Sequence, residues 1–495
     1  MKGFGSHKKS KNKKRKNLKE DNLKDQIINK AFKYHAEGNL SEATKYYQSF
    51  IRKGFKDFRL FSNYGYLLIG LGKLKKAELL YRKAIELKPD FAEAHSNLGN
   101  LLNGIGKLQE AELSFRKAIE LKPDFAQAQY NLGNLLSNFG KLQEAELSYK
   151  KAIKIKPDYI KAYYSLSQLP YSDENKIWKK QLFSDSILNL KSKEDQINIY
   201  FARANILHKE KSYEDSSKFL KLANQIKLTL HPSNADALIN KSKALLIEAN
   251  KQEINQKEYS QSRESIFIVG MPRSGSTLLE SILSMNIGID DLGESEILEK
   301  SFLDYKKSNG ELNLAEKYWE KIKDHKNNSN ITTNKNLYNY LYAGIIANKI
   351  PNSKIIHCFR NPLDNILSIY RANFTKGNWF ASSLVDCTNV FLNQEEIMSK
   401  YKNRFRSKIY DLNYDSLVCD PKKEIESLIS WLGWKWDDEY LSPHLNKRSI
   451  FTASRVQVRS PINSKSIGGW KNYENMLKPA IEILKHTERY RNLLS

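Results

Sequence analysis

The chain has 495 residues, of which 40% are hydrophobic and 11% aromatic, so it is long enough for several domains and too apolar to be disordered throughout. Its three cysteines exclude a disulfide scaffold and show no metal-ligand spacing. Lysine and arginine number 81 against 56 acidic residues, and this formal charge of +25 favours anionic partners such as nucleic acid, a lipid surface or an anionic cofactor.

Residues 1–22 are predicted to form a basic, disordered tail. The run over residues 2–19 is rich in lysine and has no apolar periodicity, which favours a solvated segment over one that contacts nucleic acid or anionic lipid. No apolar segment of a secretory signal follows it, and no stretch of about 20 apolar residues occurs in the chain. We therefore expect a cytoplasmic protein without a membrane span and without a specific nucleic-acid partner.

Residues 23–160 contain an internal repeat. Residues 92–125 and 126–159 align without gaps, and residues 58–91 fit the same frame. Three sets of positions recur: Gly65, Gly99 and Gly133; Ala77, Ala111 and Ala145; and the final prolines Pro89, Pro123 and Pro157. Each unit is predicted to be two helices that cross closely at small residues, with the proline ending the second helix.

This pattern resembles the tetratricopeptide repeat, whose units stack into a superhelix with a concave face. The resemblance implies a surface for a peptide or protein. The alternative is that the repeats only support or dimerise the rest of the chain.

Residues 161–262 are predicted to be degenerate helical repeats, followed by a polar linker over about 251–264. A new domain then begins, assigned to residues 263–495. An apolar run at 266–269 predicts a strand, residues 270–277 a glycine-containing loop, and residues 278–283 a helix. Such a loop presents backbone N–H groups and a helix dipole to an anion. Its G-x-x-x-x-G-x-T spacing matches a nucleotide-triphosphate loop, but Ser276 stands at the lysine position, which favours a single terminal phosphate or a phosphosulfate.

Further strands are predicted at 354–359 and 408–414. Helices are predicted at 338–349, 362–373, 389–401, 421–432 and 474–493. This alternation predicts a P-loop-type α/β domain with a mainly parallel sheet, preceded by an N-terminal α-solenoid. Ligands of such sheets bind at the carboxyl ends of the strands, where Arg360 lies, and Ser368 follows about two helical turns later.

A set of motifs in this second half resembles the sulfotransferases, over about residues 265–475. The closest likeness is to bacterial repeat-fused sulfotransferases related to tyrosylprotein sulfotransferase. The motifs are Pro272-Arg273-Ser274-Gly275-Ser276-Thr277, Gly293-Glu294, Asn334-Lys335, Arg360 with Ser368, Tyr414, and Ser454, Gln457, Arg459, Pro461 and Trp470. The resemblance implies 3′-phosphoadenosine 5′-phosphosulfate as the sulfate donor. A metal is not expected, because this donor brings no β/γ-phosphate pair to bridge.

The same resemblance implies a role for each matching residue. The loop residues Arg273, Ser274, Gly275, Ser276 and Thr277 correspond to the 5′-phosphosulfate site, and Arg360 and Ser368 to the 3′-phosphate clamp. Tyr414 corresponds to a tyrosine that holds the adenosine diphosphate moiety. Catalysis is assigned to Glu294 as general base (Glu296 being the alternative), Lys335 beside the bridging oxygen, Arg273, and Ser454 near the sulfuryl group.

The acceptor implied first is a tyrosine of a protein or peptide that the repeats deliver, and the alternative is a carbohydrate or lipid hydroxyl. Some residues depart from the family pattern. Gly469 stands where relatives carry Lys or Arg, with Arg459 or Lys471 as substitutes, and Asn334 replaces an aspartate. These departures keep open a scaffold that holds nucleotide without catalysis. A phosphate-loop kinase is the third hypothesis, which Ser276 disfavours.

Overall fold

The computed structural model describes residues 6–170, 176–189, 191–251, 263–308, 312–323, 329–375, 377–446 and 456–491, with single residues 448, 450, 452 and 454 between the last two. Most of the expected linker, residues 252–262, lies outside this set, as do residues 1–5 of the expected tail. Two compact units are present. One comprises residues up to 137 with 141–162, and the other comprises residues 138–140 with 163–495.

The first unit consists of consecutive antiparallel helix pairs. Its helices are α1 (Ser6–Ala36), α2 (Leu40–Arg52), α3 (Phe58–Gly70), α4 (Leu74–Leu87), α5 (Ala92–Gly104), α6 (Leu108–Leu121), α7 (Ala126–Asn138) and α8 (Leu142–Ile155), and α9 (Ile160–Gln168) follows. Helices α4, α6 and α8 end two residues before Pro89, Pro123 and Pro157, as predicted. The two-helix repeat and the solenoid are therefore confirmed.

Close packing confirms the prediction that the two helices of a repeat cross at small residues. A Cβ atom on Gly99 would lie 2.8 Å from the ring of Phe115, whose side chain is fully buried. The equivalent glycines, Gly65 and Gly133, meet the rings of Tyr81 and Tyr149 in the same way. A larger residue at these positions would push the two helices of a repeat apart.

Helix α1 differs from the predicted tail. The structure continues the helix back to Ser6, through most of the segment expected to be disordered. Lysine, arginine, glutamate and leucine are good helix formers, so the segment can extend a helix that the repeats have already nucleated.

The second unit is an α/β structure. Its helices are α10 (Lys176–Phe183), α11 (Lys193–Lys209), α12 (Tyr213–Leu230), α13 (Ala235–Asn250), α14 (Ser276–Leu283), α15 (Ile297–Lys307), α16 (Leu314–Lys323), α17 (Ala343–Lys349), α18 (Pro362–Tyr370), α19 (Leu384–Arg404), α20 (Tyr414–Cys419), α21 (Pro421–Leu432) and α22 (Glu474–Lys485). Its strands are β1 (Glu264–Gly270), β2 (Ile289–Asp291), β3 (Ile331–Asn334), β4 (Ser353–Phe359) and β5 (Ile409–Asn413).

The five strands form one sheet in the order β2-β3-β1-β4-β5, and every neighbouring pair is parallel. Alternate residues of β1 enter different apolar clusters. Phe267 and Val269 pack against helices α15, α17 and α19, whereas Ile266 and Ile268 pack against α14 and α21. Helices thus cover both faces of the sheet, and the predicted parallel α/β fold is confirmed.

Helices α11, α12 and α13 share a core with the α/β elements. Phe201 and Leu220 are fully buried in one apolar cluster with Leu363 of α18 and Leu477 of α22. The expected domain boundary at 262/263 therefore differs from the division of the chain into compact units, because these helices contribute apolar side chains to the sheet-bearing unit. In the part of the chain that the structure describes, no helix is long and apolar enough to cross a membrane.

Candidate active site

The parallel sheet brings five strand ends to one edge, and predicted site residues follow each of them. The strand-end residues are Arg273 to Thr277 after β1, Glu294 after β2, Lys335 after β3, Arg360 after β4 and Tyr414 after β5. This edge is where ligands bind in open α/β sheets. The fold therefore collects residues that are up to 141 positions apart in sequence, counted from Arg273 to Tyr414.

The loop after β1 has a special backbone. Arg273 has φ 68°, a left-handed conformation that is uncommon for residues other than glycine. Gly275 has φ 95°, and a Cβ atom there would lie 2.3 Å from the ring of Tyr414. Only glycine allows the loop to approach the end of β5 this closely. Helix α14 begins at the next residue, Ser276, so its first N–H groups face the loop.

The guanidinium of Arg273 is held by neutral groups. Its Nε donates to Ser368 Oγ at 3.1 Å, Nη1 donates to Ser454 Oγ, and Nη2 donates to Gln457 Oε1 at 2.7 Å. Burial, together with the positive charge of the nearby Arg360, lowers the pKa of Arg273 to about 10. Among the described residues, no carboxylate lies within ion-pair distance of Arg273. Its charge is therefore positioned but not neutralised.

Arg360 is the second cation of the site and is only 7% exposed. Its Nη2 donates to the carbonyl of Ser466 at 3.0 Å, and its guanidinium lies 4.7 Å from the ring centroid of Tyr414. Carboxylates of Asp364 and Asp415 are at 4.0 and 3.9 Å, the outer limit of an ion pair. Within the described residues, Arg360 Nε is buried without a hydrogen-bond partner.

Residues 466–470 are fixed beside Arg360. The carboxylate of Asp364 accepts from the backbone N–H of Gly468 at 2.7 Å and from that of Trp470 at 2.9 Å. The hydroxyl of Ser466 also lies 3.0 Å from that of Tyr414. Gly469 lies against Asp364, to which a Cβ atom would be 3.7 Å away.

Lys335 lies between two carboxylates. Its Nζ is 3.2 Å from Glu294 Oε1 and 3.2 Å from Glu280 Oε2. The Lys335 side chain is 2% exposed, whereas that of Glu294 is 61% exposed. The predicted base and the predicted lysine are thus in contact, with the base open to solvent. The alternative base, Glu296, pairs with Lys300 at 3.2 Å instead.

Other predicted residues have the following surroundings. Ser274 is buried, and within the described residues its hydroxyl has no partner, while the hydroxyl of Thr277 lies 3.2 Å from that of Thr452.

Arg459 donates to the carbonyls of Asn446 and Arg448, so it fixes a neighbouring loop. Asn334 accepts from the backbone N–H of Asn336 at 3.0 Å, which shapes the turn at Lys335.

Sequence reasoning missed several residues of the site: Glu280, Asp291, Arg448 and Ser466 were given no role, and Gln457 was noted only as part of a motif. Glu280 had a detectable signal, because it is the one charged residue of α14, a helix whose eight residues are all buried. Arg448 pairs with Glu280 and Asp291, and nothing in its local sequence indicates these long-range partners.

Family models match both halves of the chain. Residues 265–317 and 309–438 match the model described as sulfotransferase family. Residues 65–106 match a TPR repeat model, and residues 92–125 and 126–159 each match the tetratricopeptide repeat, with the boundaries predicted from the sequence. The chain therefore carries a sulfotransferase-family region together with tetratricopeptide repeats.

Named relatives agree with this at low identity. A protein of Aquifex aeolicus described as uncharacterized is 30% identical over 45% of this chain and 32% of its own length. Protein-tyrosine sulfotransferase 2 of Gallus gallus is 24% identical over 44% of this chain and 66% of its own length. The protein-tyrosine sulfotransferase of Drosophila melanogaster is 23% identical over 46% of this chain and 52% of its own. The chain thus spans about a third to two thirds of these relatives.

Some solved structures are similar to part of the chain. The crystal structure of MamA is 27% identical, covers 28% of this chain and 80% of its own, and has a TM-score of 0.26. That of YrrB, a TPR protein with an unusual peptide-binding site, is 28% identical, covers 28% of this chain and 72% of its own, and has a TM-score of 0.27.

Proposed function

We propose that the protein transfers a sulfuryl group from 3′-phosphoadenosine 5′-phosphosulfate to an acceptor hydroxyl. The observation that carries this proposal is the pair of neighbouring guanidiniums, Arg273 and Arg360, at the carboxyl edge of the sheet. Arg273 is bonded to neutral groups, and Arg360 retains a buried, unused donor among the described residues. Two such cations side by side repel each other unless an anion joins them.

The donor fits this arrangement because it has anionic groups at two positions. Residues 273–277 would hold the 5′-phosphosulfate at the start of α14, with Arg273 and the free hydroxyl of Ser274. Arg360 and Ser368 would hold the 3′-phosphate. The hydrogen bond from Arg273 to Ser368 supports this pairing, since it links the two proposed subsites directly. Tyr414, which contacts both Gly275 and Arg360, would pack between them.

The chemistry assigns a separate task to each group. The acceptor oxygen forms a bond to sulfur as the bond from sulfur to the 5′-phosphate oxygen breaks. The acceptor proton passes to Glu294, whose exposed carboxylate is open to an incoming hydroxyl. Negative charge that develops on the released phosphate oxygen is stabilised by Lys335 and Arg273. The hydroxyl of Ser454, which accepts from Arg273, would lie beside the sulfuryl group.

For the acceptor, we propose a tyrosine hydroxyl of a protein or peptide. The low-identity similarity to protein-tyrosine sulfotransferases supports this class. The repeats support it as well, because stacked helical repeats offer extended surfaces that suit a peptide. Transfer to carbohydrate instead of peptide is the alternative outcome of the acceptor test.

The test is calorimetric titration with 3′,5′-adenosine bisphosphate and, separately, magnesium-ATP, followed by transfer of labelled sulfate to tyrosine peptides and to oligosaccharides. We expect tight binding of the bisphosphate, weak binding of ATP, and loss of about a hundredfold in bisphosphate affinity in Arg360→Ala, as for a charged hydrogen bond removed from a buried site. Arg406→Ala, which removes an exposed arginine paired with Asp411, is the matched control.

Equal affinity for ATP and the bisphosphate would contradict the proposed donor and favour a kinase-like protein. Bisphosphate binding without transfer to any hydroxyl would favour a scaffold that holds nucleotide. Labelling of oligosaccharides but not peptides would keep the donor and change the acceptor class.

A further inference from the structure

Glu280 is a buried carboxylate at the candidate site that the roles above leave unused. It lies in α14 and is 3% exposed. Its Oε2 accepts from Arg448 Nη2 at 2.7 Å and lies 3.2 Å from Lys335 Nζ. Its Oε1 has no hydrogen-bond partner in the described part of the chain. Burial raises the pKa of Glu280, against the opposing effect of Lys335 and Arg448.

The two carboxylates on Lys335 have opposite environments. Glu280 is buried, and Arg448, which also pairs with Asp291, contacts Oε2 of Glu280, the same oxygen that lies near Lys335. Glu294 is exposed and faces solvent. The buried thiol of Cys358 also lies close enough to Lys335 to be affected by its charge, and burial raises the pKa of this thiol. A buried ammonium needs an anion beside it, and here one of the two anions is fixed within the protein.

This difference matters when a proton moves. If Glu294 takes the acceptor proton, it becomes neutral and no longer balances the charge of Lys335. At the same moment the ammonium is needed at the leaving oxygen. A lysine held by Glu294 alone would lose its partner at that step, whereas Glu280, which Arg448 also contacts, remains beside Lys335.

We propose that Glu280 is a positioning residue that keeps the Lys335 side chain paired and in place while Glu294 gains and releases a proton. The inference rests on the proposed function, since it takes Glu294 as the base and Lys335 as the cation at the leaving oxygen. Glu280 itself would touch neither donor nor acceptor.

The first test is a double-mutant cycle on kcat with Glu280→Gln, Lys335→Met and the double variant. We expect Glu280→Gln to lower kcat roughly ten- to a hundredfold, the size of a lost charged hydrogen bond, with KM for the donor unchanged. In the Lys335→Met background the same change has little further effect. The matched control is Glu264→Gln, because Glu264 pairs with Lys354 at the opposite end of β1.

The second test does not depend on turnover. Acetic anhydride modifies only the neutral amine of lysine, and mass spectrometry locates the product. Glu280→Gln removes one of the two carboxylates that hold Lys335 Nζ, so we expect the acetylation profile of Lys335 over time to be faster in Glu280→Gln than in wild type. The profile of Lys335 in Glu264→Gln stays at the wild-type position.

Additive losses in the cycle, or an unchanged acetylation profile, would overturn the role of Glu280. If wild type transfers no sulfate and the profile still moves, the proposed function fails while the coupling between Glu280 and Lys335 is upheld. A fall in kcat that Glu280→Asp partly reverses would further support positioning by the carboxylate.

Discussion

Arginines in the two units of this protein have opposite environments. In the repeats, Arg116 donates to Glu112 at 2.7 Å and to Glu144 at 3.1 Å, and Arg82 has the same pairing with Glu78 and Glu110 one repeat earlier. Hydrogen bonds to these carboxylates raise the pKa of both guanidiniums. At the sheet edge, Arg273 is bonded to two hydroxyls and an amide, and burial lowers its pKa.

The comparison distinguishes arginines that form ion pairs within the fold from arginines that we propose bind a ligand. The repeat pairs recur every 34 residues, are half-exposed, and bridge neighbouring helices. At the sheet edge, Arg273 is oriented by neutral groups, and Arg360 lies only at the outer limit of ion-pair distance from Asp364 and Asp415. The overall charge of +25 does not reveal this contrast, because both kinds of arginine count equally in it.

The largest expected effect on activity is for Arg273, in the loop after β1. Arg273→Ala should reduce the sulfuryl-transfer rate by about a thousandfold, because it removes a fixed cation from the charge that develops in transfer. Arg116→Ala, in the repeats, should leave the rate unchanged. The initial rate with labelled donor measures both. A similar loss in both variants would end the distinction between ligand-directed and structural arginines.

The next effect concerns the two candidate bases. Glu294→Gln should lower kcat about a hundredfold or more, as expected for loss of a general base, with bisphosphate binding retained. Glu296→Gln is the matched control, because this exposed carboxylate pairs with Lys300. Steady-state kinetics decides between them. A loss of kcat confined to Glu296→Gln would show that Glu296, and not Glu294, is the base.

A third prediction concerns the packing of the repeats. Gly99→Ala should lower the free energy of unfolding by about 1–3 kcal/mol, because the new methyl group overlaps the ring of Phe115. Gly104→Ala, near the end of the same helix, has open space around the new atom and should be neutral or slightly stabilising. Chemical denaturation measures both, and equal effects would show that the crossing tolerates a larger residue.

The smallest effect is expected for the repeat ion pairs. Arg82→Ala should cost less than about 1 kcal/mol, because these pairs are exposed and screened by salt. The cost should shrink further in high salt when unfolding is followed by circular dichroism. A large, salt-independent loss would mean that these arginines resemble buried charges more than surface ones.

Much of the fold could be predicted because its signals are local. The repeats could be identified because small residues recur at a fixed interval in the sequence. Strands β1 and β4 each follow from an apolar run, and β5 contains Ile409, Tyr410 and Leu412. Strands β2 and β3 were not predicted, because they have only three and four residues and contain Asp290, Asp291 and Thr332 in place of such a run. The predicted strand at 408–414 ends at Asn413, whose side chain caps helix α20, so Tyr414 is helical.

The candidate site was predictable where a residue directly follows a recognisable strand or loop, as with Arg273 and Arg360. Glu294 and Lys335 were indicated by the resemblance to a family, since their own surroundings carry no strong local signal. Glu280 was missed for a physical reason. Its role depends on ammonium and guanidinium groups at positions 335 and 448, which only the folded chain brings to α14.

The serine at position 276 has a consequence for engineering. In a loop with a lysine at that position, the loop itself carries much of the positive charge that binds phosphate. Here the cations stand on separate strand ends, at Arg273, Lys335 and Arg360. Transplanting residues 270–277 into another α/β scaffold would therefore carry over the cradle and Arg273, but it would leave behind Lys335 and Arg360 and the affinity that depends on them. Changing Ser276 to lysine would add a fourth cation to a place that already has three, and should not by itself create a kinase.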